Sequence, residues 1–173
     1  MTILTTDRLT LRPLSVTDAP ALLAARSDAE VMRYWDWPAQ TSVEQVESII
    51  ADHFDDVADG NVLWWVVALT PDGAAIGECD LSEIDHHHRR AEVGYLFNRA
   101  YWGKNYAYEA MQAVIDYAFG DLKLERLWAR FHAGNEASRR LLERLGFSYE
   151  GTLKRHVWRD GERRDCEIYG LMR

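Results

Sequence analysis

The stretch EVGYLFNRAYWGKNYAYEAM, residues 92–111, constrains the fold of this 173-residue chain more than any other. Val93-Gly94-Tyr95-Leu96-Phe97 is apolar and aromatic, the composition of a strand covered on both faces. The turn Trp102–Ala107 follows, in which Gly103 and Asn105 both tolerate φ > 0. Ala107, Ala110, Met111, Val114 and Ala118 then recur at helical spacing. A strand ending in a small-residue turn that opens a helix suits a phosphate, because free N–H groups and the positive helix end converge there. The turn is neither a Walker loop nor a Gly-x-Gly-x-x-Gly fingerprint, and strand–turn–helix joints are common. A second motif adds weight. In HAGNEASRRLLERLGFSYEG, residues 132–151, Asn135 is an N-cap type, Glu136 suits a first turn, and Gly146 falls at the helix end. Leu141, Leu142 and Leu145 give that helix a buried side.

The remaining punctuation predicts the other elements. Arg8–Pro13 reads as a strand, and Thr17–Ser27 as a helix with Thr17 as cap and Pro20 in the first turn. Thr41-Ser42-Val43-Glu44 is a capping box opening a helix that ends near Gly60. Val62–Leu69 and Ala74–Ile84 form a hairpin about Pro71-Asp72-Gly73, followed by a loop over Asp85–Arg90. Ala91–Phe97 is the central strand, Asn105–Phe119 its helix, Arg126–Phe131 a strand and Glu136–Leu145 the last helix. Phe147–Trp158 and Arg164–Leu171 pair about Arg159-Asp160-Gly161. Crossover helices inside a mostly antiparallel run predict an α/β (α+β) fold with a mixed central sheet in one domain, residues 1–173.

Composition narrows the function classes. A net charge of −8 argues against general nucleic-acid binding. The N-terminus lacks the basic and apolar regions of a leader, and no run approaches 18 apolar residues, so a cytoplasmic setting without membrane spanning is expected. Cys79 and Cys166 lie inside strands without metal-ligand spacing, as ordinary buried thiols. His86-His87-His88 has no Cys or acidic ligand at suitable spacing, so no metal is expected.

Nearly the whole chain resembles the acetyl-CoA-dependent GNAT N-acetyltransferase superfamily, and specifically its RimJ/RimL-type branch. The matching pieces, in order, are TDRLTLRPLSVTDA, IGECDL, AEVGYLFNRAYWGKNYAYEAMQAVIDYAF, LERLWARFHAGNEASRRLLERLGF and EGTLKRHVWRDGERRDCEIYGLMR. The resemblance implies a mostly antiparallel seven-stranded sheet, splayed between strands 4 and 5 and flanked by about four helices. It also implies acetyl-CoA as cosubstrate, with its pantetheine arm in the splay. Main-chain groups around Leu96, Phe97 and Asn98 would hold that arm. N–H groups of Gly103, Lys104, Asn105, Tyr106 and Ala107 would bond the pyrophosphate, with Lys104 adding charge. Asn135 would reach the pantetheine amide. Arg139 or Arg140 would approach the 3′-phosphate, although a solvated helix face accounts for both equally well. Two positions depart from the family pattern: the usual turn glycine is Asn105, and the usual Thr or Ser after the alanine is Tyr108.

The implied chemistry is attack of a neutral amine on a thioester, with no covalent enzyme intermediate. An α-amine lies about one pKa unit above pH 7, whereas a lysine lies about 3.4 units above it and needs a strong base. The tyrosine that serves as acid in many members is Leu142 here, so Ser138, one turn earlier, is assigned to the sulfur. Candidate bases are Glu78, Asp80, Glu83 and Glu92, of which Glu78 and Glu92 are carried forward; alternation puts Glu78 and Asp80 on one face. Tyr34, Trp35 and Trp37 lie where the family covers its acceptor and either line that pocket or plug the core. Residues 1–121 carry −12 and residues 122–173 carry +4, an asymmetry that suits a cationic amine and CoA phosphates. The expected acceptor is a protein N-terminal α-amine or similar; a small amine, amino acid or polyamine is the alternative, as is a CoA-binding module without turnover. A monomer and a homodimer are both compatible with the chain.

Overall fold

A computed structural model describes residues 2–53, 57–70 and 73–173. Its strands are β1 (Leu4–Thr5), β2 (Leu9–Pro13), β3 (Leu63–Leu69), β4 (Ala75–Asp85), β5 (Arg90–Phe97), β6 (Arg126–His132), β7 (Ser148–Arg159) and β8 (Glu162–Met172). They form one sheet in the order β1-β2-β3-β4-β5-β6-β8-β7, antiparallel except between β5 and β6. The two-residue β1 is the strand beyond the expected seven; it is too short to carry a period-2 signal. The helices are α1 (Ala19–Arg26), α2 (Val43–Asp52), α3 (Tyr106–Gly120) and α4 (Glu136–Arg144).

Strand β3 shows why the sheet is covered on both faces. Its run LWWVVAL turns Trp64 and Val66 toward Leu22 of α1 and Val46 and Ile50 of α2. Trp65 and Val67 point the other way, into a core shared with Ala110, Met111, Val114 and Ala118 of α3 and Leu142 of α4. Alternation therefore delivers apolar packing to both faces.

Caps differ from expectation by a residue or two. Ser15, not Thr17, opens the first helical segment in a reciprocal box with Asp18, because its backbone is still extended (φ −133°, ψ 153°). Ser42, not Thr41, caps α2 by accepting from Gln45 N, while Thr41 N donates to Gln45 Oε1 at 2.8 Å. Pro71 and Asp72 of the expected hairpin turn lie outside the described residues, as do residues 54–56 of the helix expected to reach Gly60. At the other hairpin, Asp160 and Gly161 both take positive φ between paired Arg159 and Glu162, a turn whose twist matches the strands.

The β5–β6 pairing positions the site. It covers only Arg90–Glu92 against Arg126–Trp128. Strand β6 continues to His132 on β8, and β5 continues to Phe97 on β4, so the two part after Glu92. With β1 discounted, this is the expected splay between strands 4 and 5.

Candidate active site

Two cavities open where β5 and β6 part. The larger, about 800 Å³, runs along Phe97 and the turn Gly103–Ala107 to Asn135 and Arg140. The smaller, about 250 Å³, is lined by Trp37, Asp80, Glu92 and Arg130 among others. Tyr34, Trp35, Tyr95, Asn135 and Ser138 border both, so the cavities meet at these side chains.

The turn at the far end of the larger cavity has the conformation its residues suggested. Gly103 (φ +74°) and Asn105 (φ +65°) are left-handed, and α3 starts at Tyr106. Its first N–H groups have no carbonyl one turn back and remain available to an anion. The two departures share a neighbour. Arg144 of α4 donates to Asn105 Oδ1 at 2.9 Å, and its guanidinium lies 4.2 Å from the centre of the Tyr108 ring. Arg144 lines this cavity too, and no spacing rule had singled it out.

Helix α4 is held at both ends as its sequence suggested. Asn135 Oδ1 accepts from Ser138 N at 3.2 Å. At the other end, Gly146 N donates to Glu143 O and Phe147 N to Leu142 O, with Gly146 at φ +93°. Arg139 is paired with Glu136, while Arg140 borders the larger cavity.

Four expected positions, Leu96, Asn98, Lys104 and Glu78, lie differently. Asn98 N donates to Ile76 O, so by alternation the peptides of Leu96 and Asn98 face β4 and those of Tyr95 and Phe97 face the gap. The Phe97 carbonyl already accepts from Trp102 Nε1 at 2.8 Å. The Asn98 side chain caps the next turn, accepting from Ala100 N at 3.0 Å. Lys104 turns back over the Tyr101 ring, donates to Ala100 O, and does not line the cavity. Glu78 leaves the candidate bases: it is buried in an ion pair with Arg26 of α1 at 2.6 Å and lines neither cavity. Its carboxyl is raised by burial and held down by Arg26.

Glu92 remains a candidate base, and Asp80 joins it in the smaller cavity. They share a sheet face, with Asp80 opposite Gly94 and Ser82 opposite Glu92. Asp80 occupies the space of the missing Gly94 side chain; a Cβ there would lie 2.2 Å from Asp80 Oδ1. Burial lifts Glu92 to about 7, opposed by Arg130 and reinforced by Asp80, Glu83 and Asp36. Burial lifts Asp80 to about 6, opposed mainly by its hydrogen bond with Ser82. Asp36 behaves oppositely: His132 Nε2 at 2.7 Å and Arg130 Nη2 at 2.9 Å hold it down at about 2. This triad ties the segment carrying Tyr34, Trp35 and Trp37 to β6, and sequence reading missed its polar members. The available signal was Arg130 and His132 two apart in a strand otherwise suited to burial.

Comparisons with known proteins identify relatives of this chain. Residues 8–148 match the acetyltransferase (GNAT) domain model. The chain is 33% identical over 171 residues to the uncharacterized N-acetyltransferase YoaA of Bacillus subtilis, covering 99% of this chain and 97% of that protein. It is 30% identical over 156 residues to spermidine N(1)-acetyltransferase of Escherichia coli K12, covering 90% and 81%. Mycobacterium smegmatis RimJ, solved in complex with CoA-disulfide, superposes with a TM-score of 0.85 at 26% identity, covering 95% and 81%.

Proposed function

This chain belongs to the GNAT acetyltransferase family and is an acyltransferase, and on that premise we propose that it transfers the acetyl group of acetyl-CoA to a primary amine, a protein N-terminal α-amine or similar, by direct attack in a ternary complex. The observation that carries this reading is the pair of cavities meeting at Tyr95 and Ser138, one ending at an anion-ready helix start and the other lined by carboxylates.

In this reading the larger cavity takes CoA. Gap-facing peptides of Tyr95 and Phe97 bond the pantetheine arm, and N–H groups from Gly103 to Ala107 hold the pyrophosphate. Arg140 and Arg144 supply charge at the phosphate end. The acceptor enters the smaller cavity beside Trp35 and Trp37, and Glu92 takes its proton. A base titrating near 7 is matched to an α-amine whose ordinary pKa is about 7.7–8.0. The nitrogen attacks the carbonyl carbon, the carbon–sulfur bond breaks, and CoA leaves as the thiol beside Ser138.

A small cationic amine is the second reading, favoured by Asp80 and Glu92 in a cavity of only about 250 Å³. Free-thiol release measured across N-terminal peptides, amino acids and polyamines separates the two. The first reading expects peptide α-amines to give the highest kcat/KM. Turnover confined to polyamines would replace it with the second, and no thiol release with any amine would defeat both. No helix among the described residues is long and apolar enough to cross a membrane.

A further inference from the structure

We propose that the phenol of Tyr95 is the proton donor to the departing CoA sulfur, supplying from β5 what Leu142 cannot supply from α4. This inference rests on the acetyltransferase reading above. Leu142 is 1% exposed, packed in the core, and has no proton to give. Tyr95 comes from the central strand, in the segment that has lost its β6 neighbour, and its side chain borders both cavities. Its hydroxyl oxygen is buried and has no hydrogen-bond partner at ordinary distance. A buried donor of that kind is uncommon, and a catalytic role is one of the reasons a protein keeps one. Ser138, the residue already placed beside the sulfur, borders the same two cavities. Tyr34 also borders both cavities, but its ring belongs to a short turn under the Arg33 guanidinium, and its oxygen is not among the buried orphans.

The step balances. The amine nitrogen forms a bond to the carbonyl carbon and yields a proton to Glu92. The carbon–sulfur bond breaks with its electron pair on sulfur, and sulfur takes the Tyr95 proton. Tyr95 regains a proton from solvent through Ser138, and Glu92 returns its own to solvent. Burial raises the phenol above its ordinary value, opposed by the nearby Ser138 hydroxyl, so it remains protonated and available.

Tyr95→Phe removes one oxygen and keeps the ring. We expect kcat to fall about 100-fold, with the Kd for CoA within about threefold of wild type. The deficit should shrink at least tenfold with 4-nitrothiophenyl acetate as acetyl donor, whose thiolate departs without a proton. A kcat within threefold of wild type overturns the assignment. So does an equal deficit with both thioesters, or a parallel loss of CoA affinity, either of which makes Tyr95 structural. A wild type with no turnover on any amine defeats the underlying reading, and this inference with it; wild-type turnover with an unaffected variant defeats this inference alone.

Discussion

At the scale of single residues, charge is distributed by partners that lie far away in sequence. Alternation along β4 puts Glu78 and Asp80 on one face and cannot rank them; Arg26 of α1 decides, by pairing with Glu78 and leaving Asp80 to the cavity. Asp36 is likewise set by Arg130 and His132, more than 90 residues away, which local pattern does not encode. Asn105, Asn135 and Gly146 were legible because caps and left-handed turns depend on near neighbours. Glu92 gives a signed pH test. Its folded value of about 7 lies above an unfolded value of about 4.3, so the folded chain binds the extra proton between them. Its contribution to stability therefore declines as pH rises through that window. Glu92→Gln should raise the Tm relative to wild type at pH 8 and match it at pH 4. The same variant should lower kcat/KM and abolish the limb near pH 7, leaving only that of the acceptor amine; an unchanged profile would remove Glu92 as base. Arg144→Ala should weaken CoA binding roughly fivefold, about 1 kcal/mol for an exposed contact, with kcat little changed. Calorimetry with CoA checks it, and unaltered affinity would leave Arg144 only its contacts to Asn105 and Tyr108.

Elements carry the next level of constraint. The strand–turn–helix unit was readable throughout, from the buried run of β5 to the apolar stripe of α3, because each part is local and each agrees with the next. The side of β5 that each peptide faces was not readable, since it depends on register with β4. A Cβ at Gly103 would meet only open space, so the constraint there is conformational, not steric. A β-branched residue at φ +74° must leave the left-handed region, at a cost of at least about 1–2 kcal/mol. Gly103→Val should therefore weaken CoA binding about tenfold; retained affinity would move the pyrophosphate elsewhere. Gly94 is constrained differently, because Asp80 fills its place. Gly94→Ala should destabilise the fold by about 1–3 kcal/mol through overpacking, measured by denaturant unfolding, and should disturb the acceptor cavity more than the CoA cavity. An unchanged midpoint would mean that Asp80 moves aside freely.

For the whole molecule, one interruption organises the rest. A sheet continuous from β1 to β5 and from β6 to β7 is opened only where β5 and β6 diverge, and both cavities use that opening. The resemblance to a family gave this splay from sequence; hydrophobic period alone gave a mixed sheet and no gap. Cavities of such unequal volume, joined at a few side chains, favour two substrates held together over one replacing the other. Initial rates with acetyl-CoA and amine both varied should give intersecting double-reciprocal lines, and parallel lines would indicate an acetylated enzyme instead. The most direct test is a crystal structure of the CoA complex. The account predicts the pyrophosphate on the N–H groups of residues 103–107 and the sulfur within hydrogen-bond reach of the Tyr95 and Ser138 hydroxyls. A sulfur remote from both, or a pyrophosphate bound away from that turn, would contradict it.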